Sequence, residues 1–425
     1  MPRSDRPTGT RAASRLVPEL PRTAWILLGG AGLSALGTGM TLPFLLVYLS
    51  QVRGIEMGLA GLAVSTVALA GFVGNPLGGW LADRTGPRNA LAAGLVVAAA
   101  GAFALAGVDE AWHGFGAAAV VGLGAAICWP AQDALLSSVV RPDQRSSVFA
   151  VRHAAINAGF GMGGVVAAAF VQVSSPGTFE LVYVVDGVSF LAFVPILFAM
   201  RVGACPVTAP PQEGGFRTVF ADRVFMRVWV LTALLVAVCY AQYHAAFPAF
   251  ATNQGGLSAA DLGIVFAVNT FVVAGAQLVS LRAMAGRRRT RGLALVGAAV
   301  ASGWAVALLG GGLGGGAGAL AVFSLAMLLL ALAETFVSPT LPPLVNDLAP
   351  DRLRGRYNGV STLAWTTGFA AGPAIAGVAV AGHAEALFLG FIVCCGFIAV
   401  GALRLERRLP RAVNLVPPVS NLAAE

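Results

Sequence analysis

The sequence predicts an all-α membrane protein, with twelve transmembrane helices in two six-helix bundles related by a parallel pseudo-two-fold repeat. Long apolar runs, a one-sided distribution of arginine and an internal repeat at constant offset carry this reading. The 425 residues are 57% hydrophobic and only 11% charged, with a mean hydropathy of +0.80. A soluble domain carries roughly 25% charged residues, so this chain has too little charge to cover a water-facing surface. Its apolar runs have the length of about 20 residues that a helix needs to cross about 30 Å of hydrocarbon. In lipid only helices and closed barrels satisfy their own backbone, and barrel strands alternate polar with apolar positions, which these runs do not.

In chain order, a basic tail (1–24) with five arginines precedes the first span, near 25–49. That run exceeds the roughly 7–15 residues of a signal-peptide core and ends in no small-residue cleavage site, so it reads as a retained helix. Spans near 58–81, 89–107, 113–139, 149–173 and 179–200 complete the first bundle, 25–200. The Pro- and Gly-bearing stretch 201–225 reads as a linker, with Phe216 to Arg227 lying on the membrane surface as an amphipathic helix. Spans near 226–250, 261–282, 291–311, 317–344, 357–380 and 384–403 form the second bundle, 226–404. The tail 405–425 follows, and beyond Arg411 it reads as disordered.

All 27 basic residues are arginines. Arg84 and Arg88, Arg141 and Arg145, the groups Arg201–Arg227, Arg282–Arg291 and Arg352–Arg356, and both tails fall on alternate loops, whereas the opposite loops hold Arg53 alone. With 26 of 27 on one side (27 − 1), that face is assigned to the cytoplasm of a bacterial inner membrane, with both termini inside. Clusters of this kind meet anionic lipid headgroups, so the net charge of +8 does not imply nucleic acid. The absence of lysine excludes a P-loop lysine and a Schiff-base lysine. The cysteines form no CxxC pair and the four histidines have no ligand spacing, so neither metal nor cofactor is expected.

The halves repeat. Pro130 matches Pro339, Arg145 matches Arg354, Gly159 matches Gly368 and Gly163 matches Gly372, each pair 209 residues apart (339 − 130, 354 − 145, 368 − 159, 372 − 163). Parallel repeats with a solute site between them at midplane mark one large class of transporters.

The loop after the second span reads Gly79-Trp80-Leu81-Ala82-Asp83-Arg84-Thr85-Gly86-Pro87-Arg88-Asn89. It resembles the G-x-L-a-D-r-x-G-r-r-k signature of the major facilitator superfamily, with Gly79, Asp83, Arg84, Gly86 and Arg88 matching. Gly79 permits close helix approach and Gly86 a tight turn. Asp83 stands at the unfavourable end of its own helix dipole and needs compensation from a neighbouring helix start or an arginine. The resemblance implies that this partner is the start of span eleven, near Arg354, Arg356 and Tyr357, and that the clasp gates the cytoplasmic side. Other segments resemble the drug/proton antiporter branch less closely. In span five Gly164 stands where such exporters often carry proline, and its small neighbours fit either packing or a bend; in span four Ala118 stands where they often carry arginine.

A charge at bilayer depth is costly, so each is a functional candidate. Glu334, ahead of Thr335, Ser338 and Pro339, fits a proton carrier, a cation-binding group or a neutral hydrogen bond between helices. Asp186 fits a helix-to-helix hydrogen bond as well as proton duty. Asp133 fits an ion pair with Arg145 or Arg152, and His153 a polar packing residue. The family's architecture implies a cavity lined from spans one, four, seven and ten. There Thr38, Thr41, Trp129, Tyr240, Gln242, Tyr243, His244 and Phe336 would make a mostly apolar pocket with few polar anchors.

The expectation is therefore a secondary active transporter and not an enzyme. It would be a monomer among membrane lipids, exporting a small lipophilic or amphipathic compound in exchange for protons by alternating access. Uptake by a symporter or facilitator is the alternative on the same fold; a non-transporting membrane protein fits less well.

Overall fold

The apolar runs fold into long helices; some continue through an internal proline, as at Pro76, Pro130 and Pro195, and others are interrupted close to one. The computed structural model describes residues 18–172, 174–200, 215–380 and 384–417. Helices Arg22–Val52 (α1), Gly58–Thr85 (α2), Pro87–Ala106 (α3) and Ala111–Val139 (α4) lead into Arg145–Phe170 (α5) and Pro176–Ala199 (α6). Arg223–Tyr243 (α7), Asp261–Met284 (α8), Arg289–Gly310 (α9) and Gly316–Leu348 (α10) lead into Arg354–Val380 (α11) and Ala384–Glu406 (α12). Among the described residues, ten of these are long and apolar enough to cross a membrane. The other two, α5 and α11, have 26 and 27 residues.

The breaks have identifiable causes. Span seven, expected as one helix over 226–250, is regular only to Val238; a 3₁₀ turn, Tyr240–His244, and a separate helix, Ala246–Asn253, follow. Pro248 in that second helix cannot donate, and its ring excludes the carbonyl one turn earlier. Carbonyls freed by the break are taken by side chains: Gln242 Nε2 donates to Ala237 O at 2.6 Å and Trp304 Nε1 to Val238 O at 2.9 Å. Around Pro339, α10 breaks between Val337 and Leu341, and Thr340 Oγ1 donates to Phe336 O at 2.7 Å. In α1, Pro43 lies in a 3₁₀ stretch, Leu42–Phe44.

Apolar burial is divided along the chain. The largest core cluster draws only on residues from Val219 to Leu409, around Phe247, Phe250, Trp304, Phe323, Phe388 and Phe391, whereas the other clusters draw only on residues before 201. The two sets of helices meet where α11 packs on α2 and α4, and where α5 packs on α8. Shifting every helix by six places converts the α2–α11 contact into the α8–α5 contact.

The repeated glycines do the same work in both sets. A Cβ on Gly159 or Gly163 of α5 would stand 2.4 Å from Gly32 O or 2.0 Å from Leu36 O of α1. On Gly368 or Gly372 of α11 it would stand 2.5 Å from Val236 Cβ or 2.3 Å from Ala241 Cβ of α7. Helix α5 runs unbroken past Gly164, where a Cβ would make only an ordinary 3.7 Å contact.

Two expectations are corrected. Phe216 to Arg227 is not one surface helix, because a short helix ends at Ala221 and Asp222 caps α7, accepting from Val224 N at 2.9 Å and Phe225 N at 3.0 Å. The stretch beyond Arg411, described to Pro417, has defined structure there: it forms a helical turn, Arg411–Asn414, and pairs with the α8–α9 loop through Gly286 N to Val416 O at 2.8 Å and Val416 N to Arg287 O at 2.9 Å. Residues 1–17, 201–214 and 418–425, which include most of the N-terminal tail and of the expected linker, lie outside the described residues.

Because Gly163 faces a backbone carbonyl, Gly163→Val should destabilise by about 1–3 kcal/mol, seen as a lower unfolding temperature in detergent. Gly161→Val, where the nearest neighbour of a Cβ is 3.8 Å away, should not. Equal unfolding temperatures for the two variants would refute the close α1–α5 approach.

Candidate functional site

Gly71, Asn75, Gly79 and Asp83 recur at every fourth residue of α2 and so share one face. That face meets α11 backbone to backbone: a Cβ on Gly79 would lie 2.4 Å from Gly355 O, and one on Gly359 2.5 Å from Asn75 O. Asn75 Nδ2 donates to Thr366 Oγ1 at 2.8 Å. At the arginine-rich end, Asp83 Oδ1 accepts from Gly355 N–H at 2.7 Å and Oδ2 from Arg356 N–H at 3.0 Å, with Arg356 Nε 3.8 Å away. The carboxylate thus sits on the positive end of the α11 dipole, and hydrogen bonds to a charged group contribute about 1.5–3 kcal/mol each. Gly86, at φ +89°, makes the turn that follows. Arg84 and Arg88 do not join the clasp. Their guanidinium groups stack on Trp80 and Phe198, 5.2 and 4.6 Å from the ring centres.

A second contact between the halves involves residues that sequence reasoning did not assign. Asp347, in the last helical turns of α10, pairs through Oδ1 with Arg145 at the start of α5 and through Oδ2 with Arg289 Nη1 at 2.7 Å. The Arg289 side chain is only 1% exposed. Nothing in the sequence separates Asp347 from its many charged neighbours on that face. Arg354, the repeat partner of Arg145, pairs with Asp351 beside it.

Deeper in the protein, Glu334 meets a base from the other half. His153 Nε2 of α5 lies 3.2 Å from Glu334 Oε1 of α10, and His153 Nδ1 lies 2.9 Å from Gln277 Oε1 of α8. Gln277 is oriented in turn, since its Nε2 donates to Thr335 O at 3.0 Å and Ser338 Oγ at 2.7 Å. Each residue was visible as a polar group in an apolar run, but His153 is 124 positions from Gln277 and 181 from Glu334 (277 − 153, 334 − 153), and no spacing links it to them. Between Asp133's two candidate partners the structure selects Arg152, at 3.4 Å; Arg152 also donates to Gln132 Oε1 and covers the Trp129 ring at 4.6 Å. Asp186 stays within its own half, accepting from Thr41 Oγ1 at 2.9 Å.

The expected cavity residues make the following contacts. The fully buried Gln242 amide donates to Ala237 O and Gly372 O, and Thr41 is held by Asp186. Tyr243 OH donates to Leu330 O at 3.3 Å, and the Tyr240 ring packs on Trp365 at 4.8 Å. Thr38 donates to Ser34 O of its own helix, and Phe336 packs against the larger core. Trp129 is 42% exposed. The side chain of His244 lies outside the described residues. Among the described residues, no hydrogen bond or ion pair joins the halves at the end opposite the arginines. There Arg53 binds Glu180 at 2.8 Å and Asp109 at 3.4 Å within its own half.

A family model described as Major Facilitator Superfamily matches residues 27–373. An uncharacterized MFS-type transporter of Bacillus subtilis, YqjV, is 27% identical over 60% of this chain and 63% of its own length. A second from the same organism, YttB, is 24% identical over 92% of this chain and 97% of its own. Quinolone resistance protein NorA of Staphylococcus aureus is 25% identical over 54% of this chain and 58% of its own. Among solved structures, a bacterial homologue of the iron transporter ferroportin in its outward-facing state superposes with a TM-score of 0.76 at 16% identity, covering 91% of this chain and 100% of that one. The proton:xylose symporter XylE gives 0.69 at 14% identity, covering 93% and 98%.

Asp83→Asn leaves one acceptor where two backbone N–H groups converge, so it should loosen α2 from α11. Spin labels at the exposed positions Arg84 and Arg352 should then report a longer and broader distance distribution than in the parent, with membrane insertion intact. An unchanged distribution would show that the carboxylate does not hold this end closed.

Proposed function

The chain belongs to the major facilitator superfamily, and from that premise we propose that it is a secondary active exporter of small lipophilic or amphipathic compounds, driven by proton entry. In this reading its helices form two six-helix bundles that rock about a midplane site, and the arginine-rich end, with both termini, lies in the cytoplasm of a bacterial inner membrane. The division of the apolar core at residue 200 and the interchangeable α2–α11 and α5–α8 contacts support two bodies moving against each other.

The observation that carries the coupling is the His153–Glu334 pair, an acid and a base at 3.2 Å on opposite halves. A proton held between them stabilises the arrangement in which α5 and α10 are together. When the bundles separate at the arginine-rich end, water enters between the two side chains, their attraction weakens and the proton leaves to the cytoplasm. Asp83 and Asp347 hold that end closed until then. One proton moving down 100 mV supplies about 2.3 kcal/mol, which sustains a solute gradient of about 50-fold at about 1.4 kcal/mol per tenfold. Similarity to NorA favours export of drug-like solutes. Ala118, fully buried where an antiporter arginine is common, favours the second reading, uptake by a symporter using the same pair.

Proteoliposomes carrying an internal pH dye test both readings with a panel of lipophilic cations and neutral antibiotics. Substrate should trigger proton movement in the wild type, and Glu334→Gln and His153→Gln should each reduce it at least tenfold. Solute flux with no proton movement, or full coupling in Glu334→Gln, would overturn the assignment. The sign of the proton signal separates exchange from symport.

A further inference from the structure

We propose that the α8–α9 loop and the C-terminal segment together form a binding site for the headgroup of an anionic phospholipid. The segment is built into place: Asn414 Oδ1 accepts from Thr290 N–H at 3.0 Å, Arg289 Nη1 donates to Val413 O at 2.8 Å, and Leu415 bridges antiparallel to Arg288. Between loop and segment lies a cavity of about 560 Å³ whose wall includes Arg287, Arg288, Arg291 and Arg411, within the roughly 300–1,000 Å³ range of small-molecule sites.

Its charge is not balanced from within. Among the described residues Glu406 is the one carboxylate that reaches it, binding Arg288 at 2.5 Å and Arg291 at 3.2 Å. Four guanidinium groups against one carboxylate leave +3 (4 − 1), and among the described residues no acid pairs with Arg287 or Arg411. Guanidinium groups match phosphate oxygens in a planar, two-pronged geometry. The remaining wall is apolar. Leu295, 44% exposed, sits one turn beyond Arg291 on a membrane-crossing helix, and Leu415, 36% exposed, closes the other side. A phosphate group with acyl chains satisfies both the cations and this apolar lip, whereas a free phosphate would leave the lip bare. The site lies on the arginine-rich end, where headgroups meet hydrocarbon, and it does not depend on which solute is carried or in which direction.

The test is native mass spectrometry of the full-length protein in detergent, titrated with phosphatidylglycerol, with phosphatidylcholine and with inorganic phosphate. The wild type should retain one more phosphatidylglycerol than the double variant Arg287→Gln/Arg411→Gln, whose affinity should fall at least fivefold, while phosphatidylcholine binding stays equal. Both arginines are exposed, so the variant should keep its unfolding temperature. Leu415→Glu provides a second route to the same loss should the double variant misfold. Equal phosphatidylglycerol retention in the wild type and the folded variants would overturn the site, and displacement of the lipid by millimolar inorganic phosphate would overturn the lipid assignment in favour of a free anion.

Discussion

A backbone carbonyl or a charge enclosed among apolar helices has no water to turn to, and each such group must find a partner within the protein. That requirement organises the molecule. Where the first helix of span seven stops at Val238, the carbonyls of Ala237 and Val238 are met by Gln242 and Trp304, the latter from α9. Where Asp83 falls in the last turn of α2, its carboxylate is met by the first amides of α11. The polar side chains of the apolar runs are, for the most part, answers to groups that helix geometry leaves open.

The same requirement makes the two halves similar but not equivalent. Gly86 and Gly286 both turn the chain at positive φ, +89° and +71°, at the ends of α2 and α8. Three residues before the first stands Asp83, and three before the second stands Ala283. The start of α5 therefore has no acid from α8 to cap it, and Arg145 is held by Asp347 of α10 instead, which shares its other oxygen with Arg289. One seam is closed by backbone amides and the other by side-chain charges, so the two need not open with the same ease. Arg289 also carries Val413's carbonyl, which links the C-terminal segment to the second seam.

The polar contacts between the halves are graded in depth. Asp83 and Asp347 lie at the arginine-rich end, and Asn75–Thr366 and His153–Glu334 lie further in. Backbone contact at Gly79, Gly355 and Gly359 leaves no room for water along the first seam. The His153–Glu334 contact therefore belongs to an interface whose other polar bonds are few and discrete.

How much of this was legible depended on whether a property is local. Composition and the length of the apolar runs determined the helices, because a segment without charge in lipid has only that way to satisfy its backbone. The motif around Asp83 and the glycines at an offset of 209 were legible because each residue type meets a constraint set by its own helix: a dipole end, a turn, a close approach. Tertiary structure alone decided the rest. It chose Arg152 over Arg145 for Asp133 and brought His153 to Glu334 and Gln277. It also recruited Asp347 and Arg289, and committed Gln242 to a helix break rather than to a cavity. A buried polar group takes the partner that packing delivers, and which face of which helix arrives is a property of the whole assembly that no local spacing records.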